Sequence, residues 1–196
     1  MKRSTVFMFI VFAFLISSCS LHTAYNKRAF ILSPTVNYNS KHKTNLALEI
    51  IGGNCDSRFN STLFYYKKNS YEFEPYATIC WIDSLCSMFE NDLTTAIQQS
   101  GMFKVVGTVG SFYEYDYKLK FTIEDFEPVF EKNGNYILTR ITFFLFKGNN
   151  EPVGSYMFAK KIKLTDIHPS SVVKKMNLAD RQAVLGVLNW LEGVVK

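Results

Sequence analysis

Histidine is scarce: His22, His42 and His168 are the only three among 196 residues. None stands beside a serine or cysteine in a nucleophile-elbow or papain-like setting, so those hydrolase chemistries have no motif to rest on. Four cysteines are too few for a disulfide-built scaffold. No histidine lies near Cys55, Cys80 or Cys86 at metal-ligand spacing, which argues against a zinc site. Charge of one sign is lacking as well, with 22 basic residues against 17 acidic ones. Two of the basic residues, Lys2 and Arg3, sit in a signal-like segment, so the remainder is nearly balanced. Such a chain carries no electrostatic footprint for nucleic acid. No apolar run approaches the roughly 20 residues of a membrane-spanning helix. Internal repeats and low-complexity tracts are absent too. What is present is a globular composition, 47% hydrophobic and 20% charged with 18 Phe and 11 Tyr. It excludes disordered, collagen-like and coiled-coil chains.

The N-terminus reads as an address. Met1-Lys2-Arg3 is a basic start, and Val6 to Ile16 is an unbroken apolar run of signal-peptide length. It ends in Ile16-Ser17-Ser18-Cys19, which resembles a bacterial lipobox: an aliphatic residue, two small residues, then a cysteine whose thiolate takes up a diacylglyceryl group. Residues 1–18 are therefore expected to be a lipoprotein signal peptide. Cys19 is the expected lipidation site, and 19–26 a short lipidated tether. Buried acyl chains are worth roughly 0.8 kcal/mol per methylene, so two or three anchor a protein durably. Ser20 follows the cysteine where an aspartate would signal retention. That pattern resembles cargo sent to the periplasmic face of the outer membrane.

Residues 27–196 read as a single domain. Lys27 to Asn37 is a predicted first strand, cut by Pro34 and so placed at an edge. Short strands follow at 46–51 and 62–67, with a return strand from Tyr71 to Tyr76. Asp83 is the expected N-cap of a helix over 84–100, where Leu85, Phe89, Leu93, Ala96 and Ile97 recur at helical spacing before Gly101. From Tyr113 to Glu124 apolar and polar residues alternate strictly, which predicts a strand with one face buried. Asn133-Gly134 is a hairpin signal. Tyr136 to Lys147 is a second long strand, with Ile141 to Phe146 expected to be buried on both faces. Val153 to Leu164 is a third. Pro169 opens a last helix striped by Val173, Met176, Ala183, Val184, Val187, Leu188 and Leu191. The expected class is α+β: a largely antiparallel sheet with two amphipathic helices packed on one face.

One ordered set of residues carries a resemblance. An aromatic strand, Leu63-Phe64-Tyr65-Tyr66, is followed by a short strand ending in Tyr76, then Trp81, a helix, and Phe103-Lys104-Val105. Behind a lipobox, this order resembles the ABC-type transport auxiliary lipoproteins, the PqiC-type partners of MCE lipid-transport systems. The resemblance implies a periplasmic component without enzymatic activity or cofactor. It would dock on an MCE-domain or ABC transporter subunit, or self-associate, with Tyr76 and Trp81 as structural signature residues. A pilot or assembly lipoprotein for a β-barrel, secretin or lipopolysaccharide machine is the alternative. A lipid-anchored enzyme would need a convergent nucleophile and base, which the sequence does not offer.

The remaining candidates are weaker signals. Cys55, Cys80 and Cys86 read first as small buried hydrophobes. The other reading is one disulfide and one free thiol, with Cys55 joined to Cys80 or Cys86. On a regular helix Cys80 and Cys86 would stand roughly 9 Å apart along the axis and could not bond each other. Lys41-His42-Lys43, after the edge strand, is the candidate docking loop. Lys160-Lys161-Ile162-Lys163 reads as a solvated strand face before it reads as a headgroup contact. Of Tyr113, Tyr115, Tyr117, Phe143, Phe144 and Phe146, most are expected in the core rather than in a lipid groove.

Overall fold

A computed structural model describes residues 27–195 except 53–54, 70, 112–113 and 149. The signal segment, Cys19 with its tether, and Tyr113 lie outside the described residues.

The organising strand is β6 (Tyr117–Glu131), whose sequence alternates as the buried face of a sheet must. Tyr117, Leu119, Phe121 and Ile123 are buried, while Lys118, Lys120, Thr122 and Glu124 are half-buried on the other side. A bulge between Ile123 and Asp125 then shifts the alternation by one, so that Phe126 returns to the core. Lys132-Asn133 closes a hairpin to β7 (Gly134–Lys147), which pairs with β6 along its whole length. The third strand, β8 (Glu151–Lys163), pairs only with β7 among the described residues and forms their long open edge.

On its other side β6 has two partners in succession. Its first half pairs in parallel with β2 (Ala47–Ile51), which in turn pairs in parallel with β5 (Val105–Thr108). Its second half meets β3 (Leu63–Asn69) at Lys67 and Val129. β3 forms an antiparallel pair with β4 (Glu72–Trp81), and β4 holds β1 (Arg28–Phe30) in parallel. The eight strands make one sheet. The long ladders are antiparallel, as expected, and the short peripheral ones are parallel.

Two helices cover one face. α1 (Leu85–Ser100) lays Phe89 against Phe121, ring centres 5.1 Å apart, and near Phe126 and Phe143. Its N-cap is Ser84, whose hydroxyl accepts from the Ser87 amide; the expected Asp83 instead accepts from the Ser84 amide at 2.6 Å. Gly101 ends the helix in the left-handed region at φ 67°, as its position predicts. α2 (Pro169–Val194) brings Trp190 over Tyr156 of β8, 5.9 Å centre to centre. A Cβ at Gly186 would collide with the Tyr156 hydroxyl, so glycine there lets α2 lie close on β8.

Two expectations fail for identifiable reasons. The first strand is only three residues long. From Ile31 the chain leaves the sheet and crosses the helices as an extended strap, with Leu32 and Val36 buried. Its backbone finds helix side chains instead of a neighbouring strand: Leu32 N donates to Met88 Sδ, and Ser33 N to Asn177 Oδ1 at 2.8 Å. The Ile141–Phe146 run is buried on one face only. Ile141, Phe143 and Leu145 point into the core, while Phe144 is 37% exposed, because no helix among the described residues covers the opposite face. Among the described residues no helix is long and apolar enough to cross a membrane.

Candidate functional site

The predicted signature residues lie in one aromatic cluster. Trp81 ends β4, and its backbone amide donates to Thr62 O. Its ring is 3% exposed and stacks on Phe64 at 4.4 Å. Tyr76 meets Phe64 edge-on at 5.2 Å and Tyr66 at 5.0 Å. Burial pushes the Tyr76 hydroxyl well above its ordinary pKa, and among the described residues its oxygen has no hydrogen-bond partner. This cluster can hold strands together; it carries no nucleophile.

Beside it lies a buried ion pair that sequence reasoning missed. Arg58 Nη1 stands 3.8 Å from Glu127 Oε1, next to a small, partly open cavity of about 10 Å³ that Trp81 and Met176 also line. Arg58 also covers the Phe73 ring at 3.9 Å. Burial pushes the Glu127 carboxyl up to about 7, opposed by the Phe126 amide donating to it. Glu127 falls where the bulge changes the strand's facing, so its burial left no mark in the alternating pattern.

The cysteines correct the first reading. Cys55 and Cys86 form a disulfide, while Cys80 is free and half-buried. Cys86 opens α1, and Cys55 lies in the polar connection before β3. The bond therefore stitches that connection to the helix.

The predicted docking loop turns out to be clipped to α2. Lys41 and His42 each donate a backbone amide to Glu192 Oε1, at 2.8 and 3.0 Å, and Ser40 adds its hydroxyl. Tyr38 donates to Glu192 Oε2 at 3.0 Å. Burial raises the Glu192 carboxyl, but these four hydrogen bonds outweigh it and hold the group below its usual range. The Lys41 and Lys43 side chains remain exposed. Glu192→Ala is expected to free the loop, which faster amide exchange at Lys41 and His42 would report while Asn177 still holds Ser33. Unchanged exchange would show that the loop keeps its shape without the carboxylate.

A second buried acidic group joins the helices. Asp180 of α2 is fully buried and faces Asp92 of α1. Burial first, and then the neighbouring Asp92, pushes the Asp180 carboxyl far up, so it holds its proton well above the ordinary carboxylate range. Burial pushes Asp92 itself up to about 6. A signal was present: position 180 falls on the α2 apolar stripe between Met176 and Val184. Asp92, Asp180 and Glu127 all bind protons more tightly folded than unfolded. All three contributions are complete below about pH 4; those of Asp92 and Glu127 are lost as pH rises through 6 to 7, and that of Asp180 as pH rises beyond the ordinary carboxylate range. Stability is therefore expected to fall from pH 5 to pH 7.5. Asp180→Asn removes the titrating carboxyl and puts an amide donor beside Asp92. It is expected to add about 1–3 kcal/mol at pH 7.5, the scale of a buried polar group left unpaired, and little at pH 5. Melting curves at both pH values check this, and an equal effect at each would contradict it.

The aromatic candidates divide. Tyr117 and Phe143 are core, Phe146 and Tyr115 are half-buried, and Phe144 is exposed on the uncovered face with Met157. Among the described residues no group of three or more His, Cys, Asp or Glu could hold a metal ion. What the described residues offer is surface: an open β8 edge and a sheet face that neither of their helices covers.

No family model matches the chain, and no curated protein matches it. Solved structures do. A Xanthomonas campestris protein of family DUF330 superposes with a TM-score of 0.73 at 17% identity, covering 84% of this chain and 96% of that one. An uncharacterized protein superposes at 0.67 and 14% identity over 85% and 99%. A hypothetical protein from Chlamydia trachomatis does so at 0.56 and 8% identity over 78% and 98%. At these identities the likeness is one of fold: strands, helices and their order are shared with a DUF330 protein.

Proposed function

We propose that the chain is a lipid-anchored periplasmic accessory component of an ABC/MCE-type system that moves lipids between the inner and outer membranes. It acts by binding and assembly, without catalysis or cofactor. The observation that carries this reading is the Cys55–Cys86 disulfide behind the Ile16-to-Cys19 lipobox. Disulfides of this kind belong to oxidising compartments such as the periplasm, and the lipobox supplies the anchor. The uncovered sheet face and the free β8 edge supply surfaces on which a partner subunit can dock. The fold shared with a DUF330 protein over most of both chains agrees with the family resemblance in the sequence.

Transfer of pulse-labelled phospholipid between the two membranes tests the reading. Deleting the gene is expected to slow transfer, wild type to restore it, and Cys19→Ala to remain unprocessed and fail. Unchanged transfer in the deletion, or full rescue by Cys19→Ala, would overturn it.

A further inference from the structure

The Arg58–Glu127 pair distributes its polar atoms unevenly. On the guanidinium, Nε and Nη2 donate to the Asp56 carboxylate, at 3.0 and 3.4 Å. On the carboxylate, Oε2 accepts from the Phe126 amide at 2.7 Å. Nη1 and Oε1 are left over. They face each other at 3.8 Å, beyond the roughly 2.7–3.2 Å of a hydrogen bond. Both atoms are buried, and among the described residues neither has a hydrogen-bond partner. A charged side chain carries a large penalty when it is buried in that condition.

The cavity beside them is matched to one small molecule. At about 10 Å³ it has room for about one water and nothing larger. Away from the two charged groups its wall is largely apolar, with Phe59, Leu63, Leu85 and Met176. An apolar hole alone stays dry, but a donor on one side and an acceptor on the other give a water the two partners it needs. A water about 2.8 Å from each atom spans their 3.8 Å gap without moving either.

We propose that this cavity binds one structural water, which accepts from Arg58 Nη1 and donates to Glu127 Oε1. The chemistry of the two ends chooses the occupant. An anion would face the Glu127 carboxylate, and a metal cation or ammonium would face the Arg58 guanidinium. A neutral molecule that both accepts and donates satisfies both ends at once. The water replaces one long contact by two charge-assisted hydrogen bonds. It thereby fastens the polar connection that carries Cys55 and Arg58 to β6 just beyond its bulge. The inference stands apart from the transport reading and needs no partner or membrane.

Met176 is placed to report the water. Its side chain lines the cavity and is 1% exposed, so bulk water does not reach it. The full-length chain, isotope-labelled at its methionine methyls and purified in detergent, is expected to show a nuclear Overhauser cross-peak between water and the Met176 methyl. Glu127→Gln keeps an acceptor at nearly the same volume and is expected to keep the cross-peak. Arg58→Met/Glu127→Met removes both polar partners and is expected to lower it about tenfold or more, because an apolar cavity stays dry. Relaxation dispersion of the water oxygen, which is blind to exchange through protein protons, is expected to count one long-lived water fewer in that double variant. No cross-peak at Met176 in wild type would overturn the proposal. So would an unchanged cross-peak or water count in the folded double variant, which would place the water elsewhere. Loss of the cross-peak in folded Glu127→Gln would remove Glu127 as the acceptor. A crystal structure in which Nη1 and Oε1 meet directly at hydrogen-bond distance would leave a plain ion pair and no site.

Discussion

Replacing Trp81 with alanine is expected to destabilise the protein by about 3–5 kcal/mol, the range for deleting a large aromatic side chain from a core. The ring is 3% exposed and stacked on Phe64, which is itself fully buried. It stands where β4 hands over to α1, with Phe30 of β1 opposite it in the ladder. Removing it would enlarge the small cavity beside Arg58 and Glu127, whose ion pair already lacks a hydrogen bond. Water admitted there would recover part of the loss by solvating both charges. The expected result is therefore a large fall in denaturation midpoint with the secondary structure preserved, followed by far- and near-ultraviolet circular dichroism. An unchanged midpoint would mean that the ring is free for a partner and that the cluster does not depend on it.

Loss of the Cys55–Cys86 bond is expected to cost about 3–4 kcal/mol, from the chain entropy of closing a loop of this length. The bonded residues are 31 apart in sequence, and the enclosed segment contains β3 and β4. Without the bond the polar connection before β3 is still tied by the buried Phe59, whose carbonyl accepts from the Cys86 amide at 3.0 Å, and by Arg58 against Glu127 and Phe73, so the variant is expected to stay folded. The double variant Cys55→Ser/Cys86→Ser avoids a stray thiol and leaves Cys80 as it is. Urea denaturation of the variant and of reduced wild type should agree within error. Alkylation of all three thiols in the native, non-reduced protein would contradict the bond outright.

How much of this was legible in the sequence depends on what each segment packs against. Tyr117 to Glu124 and the α1 and α2 stripes were legible because a single covered face imposes one period on the residues. Gly101 was legible because a left-handed cap favours glycine. The strap was not. Leu32 and Val36 alternate inward as they would in a strand, and nothing local says that their neighbours are two helices and the side chain of Asn177, more than a hundred residues away. Phe144 misled for the opposite reason: an unbroken apolar run suggests two covered faces, but here one face is left open. The cysteine pairing depends on where a polar loop is carried by the sheet, which spacing alone does not encode. The acidic pair needed both helices in place before Asp92 and Asp180 could be seen to meet.

The central claim is docking in a lipid-transport assembly at the envelope. Cross-linking the full-length chain in its native membranes, purifying it under denaturing conditions and identifying its partners by mass spectrometry tests that most directly. The account predicts an MCE-domain subunit among the cross-linked partners, at a yield that falls when Cys19→Ala removes the anchor. A β-barrel protein or a secretin in its place, with no MCE-domain subunit captured, would contradict it.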